Sequence, residues 1–176
     1  NGWISFGETD MESFRNYTLP GPGGPSPIVA VFWDDLLTTG GGDVYTYYDT
    51  LNDIFIIEWS EVRTFYANST ESFQVILYNT NLQTTTGDDE MKFQYKEFNN
   101  TSVGDYPVGN YDGPVIHGQY STIGIENHSA NDGLEYTYNN SYPEAAMPLA
   151  DETALFITTG NPYLFAVPEI EYSEED

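Results

Sequence analysis

Cysteine is absent from the 176 residues, basic side chains number four and histidines two. Without a thiol there is no disulfide framework, no thiolate nucleophile and no thiolate metal site. Arg15, Arg63, Lys92 and Lys96 stand against 28 Asp and Glu, a formal net charge of −24. That balance leaves no cationic footprint for a phosphate backbone or an anionic lipid surface, which excludes nucleic acid as a partner. No run approaches the 18 apolar residues of a membrane span, so membrane insertion is not expected, and no signal peptide is legible. The chain opens Asn1-Gly2-Trp3 without Met, as a processed or excerpted mature form does. His117 and His128 have no metal-ligand spacing, and neither a nucleophile elbow nor a phosphate loop occurs, so no enzyme is expected and no residue is assigned as catalytic. A glycosidase needs only two positioned acids, but among 28 the sequence singles out no pair.

Aromatic residues are plentiful at 16%, with 15 Tyr and 10 Phe, which sets this acidic chain apart from disordered acidic tails. Helical periodicity is nearly absent. Short runs rich in Val, Ile, Tyr, Phe, Trp and Thr recur between clusters of Gly, Pro, Asn and Asp, the pattern of an all-β chain. The predicted strands are Gly2–Phe6, Ile28–Trp33, Asp43–Asp49, Asp53–Val62, Ser72–Tyr78, Met91–Phe98, Ser121–Glu126, Leu134–Tyr138, Thr153–Thr158 and Tyr163–Val167. About ten strands joined by long polar loops predict a two-sheet β-sandwich. In Met91-Lys92-Phe93-Gln94-Tyr95-Lys96 the alternation buries Met91, Phe93 and Tyr95 and turns both lysines to water. Short helical turns are expected near Asp10–Phe14 and, more weakly, Tyr142–Met147, and a hairpin tip across Gln83–Glu90. The length fits one domain, drawn at residues 1–159, followed by an extension, 160–176, with an apolar strand and an acidic tail.

Three sets of residues are candidates for function. Asn16, Asn68, Asn99, Asn100, Asn127 and Asn139 head Asn-x-Ser/Thr acceptor triplets in or beside loops, where a glycan is tolerated; the alternative is ordinary turn asparagines. Asp34-Asp35, Asp88-Asp89-Glu90 and Asn131-Asp132-Gly133 offer the oxygen ligands calcium takes. No dedicated calcium loop is present, and solvated surface acids or a tight turn at Asn131–Gly133 account for them as well. Trp3, Trp33 and Trp59 read as core, whereas Tyr47, Tyr48, Tyr106, Tyr111 and Tyr120 suit an aromatic platform for sugars or an interface.

An ordered series carries a resemblance: Asn1-Gly2-Trp3-Ile4-Ser5-Phe6-Gly7, then Ile28-Val29-Ala30-Val31-Phe32-Trp33-Asp34-Asp35-Leu36 and Val44-Tyr45-Thr46-Tyr47-Tyr48. It continues through Phe55-Ile56-Ile57-Glu58-Trp59-Ser60-Glu61-Val62, Ser72-Phe73-Gln74-Val75-Ile76-Leu77-Tyr78, Met91-Lys92-Phe93-Gln94-Tyr95 and Thr122-Ile123-Gly124-Ile125-Glu126-Asn127, into Gly133-Leu134-Glu135-Tyr136. Over residues 1–159 this resembles the nidogen-like extracellular domain and related prokaryotic surface-protein modules. The resemblance implies a secreted or cell-surface, non-catalytic module used in adhesion or surface architecture. It makes Phe32-Trp33 and Glu58-Trp59 central core and directs attention to Asp34 and Glu58 as strand-end acids where metal would be sought.

In such domains an earlier strand rich in Phe and Tyr usually precedes the Asn-Gly-aromatic segment and completes the sandwich. Tyr163-Leu164-Phe165-Ala166-Val167 is an apolar strand beyond the resemblance. Either it folds back as this domain's last strand, or it enters a neighbour's incomplete sheet, giving a head-to-tail filament. The expected partners are thus further copies of the chain or other surface proteins. The reading from another class is a glycan-binding module with aromatic platforms, assisted by calcium. No cofactor is required by either.

Overall fold

The computed structural model describes residues 1–65, 67–79, 87–101, 105–107, 114–116 and 118–159. Twelve strands are present: β1 (Trp3–Ile4), β2 (Ile28–Trp33), β3 (Leu36–Leu37), β4 (Asp43–Asp49), β5 (Ile54–Thr64), β6 (Thr70–Tyr78), β7 (Met91–Glu97), β8 (Asp105–Pro107), β9 (Pro114–Ile116), β10 (Thr122–Glu126), β11 (Gly133–Tyr138) and β12 (Thr153–Ile157). They form a four-stranded antiparallel sheet in the order β1-β2-β10-β11 and a six-stranded one in the order β12-β7-β6-β5, with β3 and β4 following one another along the outer edge of β5. The separate β8–β9 pair is a short ribbon. The all-β sandwich predicted from periodicity is the fold. Nine of the predicted strands are found at or near their expected bounds; β3, β8 and β9 carried no signal, and Tyr163–Val167 lies outside the described residues.

The core lies between the sheets. Val29, Val31, Phe32 and Ile123 from the smaller sheet meet Trp59, Val62, Phe73, Val75, Phe93 and Tyr95 from the larger one. Alternation explains the selection, since Phe73 and Val75 point inward while Gln74 and Ile76 point outward. Phe32 stacks on Phe73 at 5.2 Å and Phe73 on Trp59 at 5.0 Å. The Tyr95 hydroxyl crosses the core to donate 2.8 Å to the Val31 carbonyl, which resolves the burial of its polar end.

Strand β2 is buried at every position. Strict alternation would send Phe32 outward, yet Val31 and Phe32 both belong to the inter-sheet core. The N–H groups of Val31 and Phe32 both donate to the Gly2 carbonyl, at 3.1 and 2.9 Å, the signature of a β-bulge that turns two successive side chains to one face. Gly2 is required opposite them: its φ is +64°, and a Cβ there would stand 1.8 Å from the Phe32 carbonyl oxygen.

The outer face of β2 is covered by the long β1–β2 connection. Leu19 and Trp3 pack on Ile28, Ala30 and Trp33, and the indole N–H groups of Trp3 and Trp33 both donate to the Ser13 carbonyl. The helical turn expected at Asp10–Phe14 does not form; the Ser13 carbonyl is taken by the two indoles. Tyr142–Met147 is likewise an irregular turn and no helix. Two carboxylates hold the strap down, Glu126 accepting from the Gly21 N–H and the Ser26 hydroxyl and Glu135 from the Leu19 N–H.

Candidate functional site

Directly opposed residues in a sheet share a face, so the pairing of Val44 with Trp59, Thr46 with Ile57 and Tyr48 with Phe55 places all six on the face turned toward the smaller sheet. Over Trp59 that face is covered. Further out it is not: Val44 is 41% exposed, Tyr48 50% and Phe55 38%. The reason is width. The smaller sheet ends at β1, a strand of two residues, and the larger sheet carries β4 beyond it. Leu36 beside Gly2 closes one end of the resulting slot. The other end opens into a cavity of about 450 Å³ lined by Phe6, Tyr48, Asp53, Phe55, Leu77 and Met91 among others. Phe6 continues β1 and is 54% exposed there. The slot therefore has an apolar floor and, along β1, an edge with no strand paired to it among the described residues. Sequence reading placed Phe55 and Val44 in predicted strands and gave neither a role at a surface. The period of two marks which face a residue is on and cannot mark where the opposite sheet stops.

The opposite face of the larger sheet presents Tyr45 and Tyr47 from β4 as exposed rings. Behind them runs a polar row, Glu58, Gln74 and Gln94, aligned by register, with the Gln74 side-chain N–H donating 2.8 Å to the Gln94 amide oxygen. Those three residues line a shallow depression of about 410 Å³. Of the tyrosines singled out from sequence whose side chains are described, only Tyr47 lies on this platform. Tyr48 points to the slot and donates its hydroxyl to Asp53, and Tyr120 is half-buried near Asn139. Tyr111 and the side chain of Tyr106 lie outside what is described.

The acids proposed for metal are dispersed. Asp34 is buried after β2 with Oδ1 accepting 2.7 Å from the Asp35 N–H. Glu58 is half-buried in mid-strand on the outer face of the other sheet, which corrects its reading as a strand-end acid. Asp88 and Asp89 are exposed ahead of β7, at the mouth of the slot. Asp132 sits in the β10–β11 turn, where the Asn127 N–H donates to its carbonyl. Among the described residues no three acids or histidines gather as a cation site.

The six acceptor asparagines divide sharply. Asn16 is fully buried, its Nδ2 donating to the Tyr120 carbonyl at 2.6 Å and to Thr122 Oγ1 at 3.1 Å. Asn100 is buried between the Ser121 N–H, which it accepts, and Asn140 Oδ1, to which it donates. Both belong to the internal polar framework, which corrects their reading as open loop acceptors. Asn99 is exposed with Nδ2 on the Thr70 carbonyl, and Asn127 closes its own turn onto Asn131. Asn68 and Asn139 are exposed.

One acid that sequence reading passed over stands out. Glu71, inside β6, is fully buried and accepts from Ser69 Oγ and from the Asn99 and Asn100 N–H groups at 2.8 to 2.9 Å. Burial, opposed by those bonds and reinforced by Glu97, pushes its pKa up to about 7.

Comparison with curated proteins and with solved structures gives no match. A family described as NIDO related matches residues 1–167, a span that takes in the apolar segment 163–167. With that match over nearly the whole chain, the protein belongs to the NIDO-related family, a group of extracellular, non-enzymatic structural modules.

Proposed function

We propose that this module works as a subunit of an extracellular structural or adhesive polymer, its vacant slot receiving the apolar strand Tyr163–Val167 of a second copy. The uncovered floor of Val44, Tyr48 and Phe55 beside the open edge of β1 carries this reading. A strand laid there completes the smaller sheet by main-chain pairing, and side chains at alternate positions fill the floor. Tyr163, Phe165 and Val167 share one face of such a strand. At about 1.5–3 kcal/mol for each large apolar side chain fully buried, they supply a substantial gross gain.

Chain reach favours the neighbour over the same chain. β12 ends at Ile157 on the edge of the larger sheet farthest from β4. Four strand spacings, about 19 Å, and one sheet-to-sheet step of about 10 Å separate it from the slot, a straight line of about 22 Å. The six Cα steps from Ile157 to Tyr163 span about 20–22 Å at full extension. Within one chain the connection would have to be drawn taut; between two copies it is unconstrained. Because a head-to-tail contact of this kind need not close, it extends into a filament.

Electron microscopy and sedimentation of the full chain beside a version cut after Gly160 test the reading. Filaments from the full chain, lost on truncation and on Phe55→Glu, support it. A full chain that stays monomeric at high concentration, or a truncated chain that still polymerises, overturns it.

The Tyr45–Tyr47 face favours a second reading, a neutral saccharide stacked on the rings and hydrogen-bonded by Gln74 and Gln94. Titration with neutral hexasaccharides, lost in Tyr47→Ala, tests that one.

A further inference from the structure

The geometry points to Asn68 and Asn139 as N-glycan-bearing residues, and to Asn16 and Asn100 as acceptor triplets that the fold keeps unmodified. Attachment needs a side-chain nitrogen that reaches solvent and has a hydrogen to lose. One N–H of the carboxamide is replaced by a bond from Nδ2 to the anomeric carbon of a lipid-linked oligosaccharide. The bond from that carbon to the polyprenyl phosphate oxygen breaks, the phosphate leaves, and the proton departs with it; nothing is oxidised or reduced.

At Asn68 the Oδ1 accepts 2.8 Å from the Arg63 guanidinium. At Asn139 the Oδ1 accepts from the Gln119 and Tyr120 N–H groups at 2.6 and 3.2 Å. A guanidinium and backbone N–H groups can only donate, so these bonds fix which way each amide is turned. In both cases Nδ2 is the atom left facing outward, and among the described residues it makes no hydrogen bond. Both asparagines hold positive φ, 59° and 51°, in tight turns, a conformation Asn tolerates, and both are exposed. The required hydroxyls two residues on, Thr70 and Ser141, are half-buried and exposed respectively.

Asn16 fails both requirements. Its two amide hydrogens are committed inside the protein, and a sugar there would displace the strap from the outer face of the smaller sheet. Asn100 has no open side, being 3% exposed with Nδ2 and Oδ1 both engaged. A chain modified at either position cannot close into this fold, and quality control in secretion removes it. Asn68 and Asn139 lie at the same end of the sandwich, the end of the β5–β6 turn and of the β11 terminus. The tail leaves from the opposite end, after Ile157. Sugar at the first end leaves the tail's exit clear.

The test is secretion of the full chain from a glycosylating eukaryotic cell line, followed by enzymatic deglycosylation in 18O-water and peptide mass spectrometry of the folded fraction. The expected result is labelled Asp at positions 68 and 139 and none at 16 and 100, with Thr70→Ala and Ser141→Ala each removing one glycan from the intact mass. Neither hydroxyl makes a side-chain hydrogen bond among the described residues, so these changes leave the asparagines in place. Label at position 16 or 100 in folded protein, or its absence from 68 or 139, overturns the assignment. If either variant is not secreted, the label map of the unaltered chain decides alone.

Discussion

Glu71 is the residue whose chemistry is most at odds with its surroundings. A carboxyl on the buried side of β6 is expensive to ionise, and the fold accepts it because it ties Asn99 and Asn100, past the end of β7, to the body of the sheet. The neutral form is also satisfied: Ser69 Oγ can turn to accept its proton while donating to the Thr101 carbonyl. The folded-state pKa, about 7, lies above the ordinary 4.5. The folded chain therefore binds the proton more tightly than the unfolded one. The stability this contributes is fully present below about pH 4.5 and is lost as pH rises through about 7, up to about 3 kcal/mol in all. Denaturant titrations at a series of pH values should show that decline, and Glu71→Gln should flatten it while costing stability at low pH, since an amide N–H would then face the Asn99 donor. An unchanged slope in the variant would assign the pH dependence to other acids. No pattern in the sequence distinguishes Glu71 from its neighbours. It lies just before the predicted strand start at Ser72, in a polar run, and only the return of the chain after β7 makes it internal.

At the scale of elements, the bulge in β2 determines how the two sheets meet. By turning both Val31 and Phe32 inward it sets Phe32 against Phe73, and it leaves the Val31 carbonyl within the core as the acceptor for Tyr95. Tyr95→Phe keeps the ring and removes the hydroxyl that donates to that carbonyl. It should cost about 0.5–1.5 kcal/mol, because a buried hydrogen bond across the core is lost; chemical denaturation measures it, and a loss below a few tenths would mean water replaces the hydroxyl. The strands were legible in the sequence because β-branched and aromatic runs ended at Gly, Pro and Asn clusters. The bulge was not, because Ala30-Val31-Phe32-Trp33 is apolar throughout and shows no alternation to break. The two-residue strands β1 and β3 are defined by what they pair with, so their limits also escaped.

For the whole molecule, charge and shape pull in opposite directions. Each copy carries −24, so subunits repel, and a polymer forms only where apolar strand burial exceeds that repulsion. Screening weakens the repulsion and leaves the buried contact almost untouched, since the Debye length is about 30 Å at 0.01 M salt and about 3 Å at 1 M. For the proposed filament, sodium chloride alone should therefore lower the critical concentration by tenfold or more across that range, as read by light scattering. Indifference to sodium chloride with a response to millimolar calcium would instead place a cation within the contact.

What the sequence determined by itself is what depends on local order: the all-β class, most of the strand positions, and the family resemblance. The first two follow from side-chain period and turn chemistry, and the resemblance from the order of particular residues along the chain. Tertiary structure alone decided which apolar residues lack a cover, as at Val44, Tyr48 and Phe55, and which loop asparagines are internal, as at Asn16 and Asn100. Burial depends on what the rest of the chain brings to lie opposite a residue, and neither a strand's period nor an acceptor triplet carries that information.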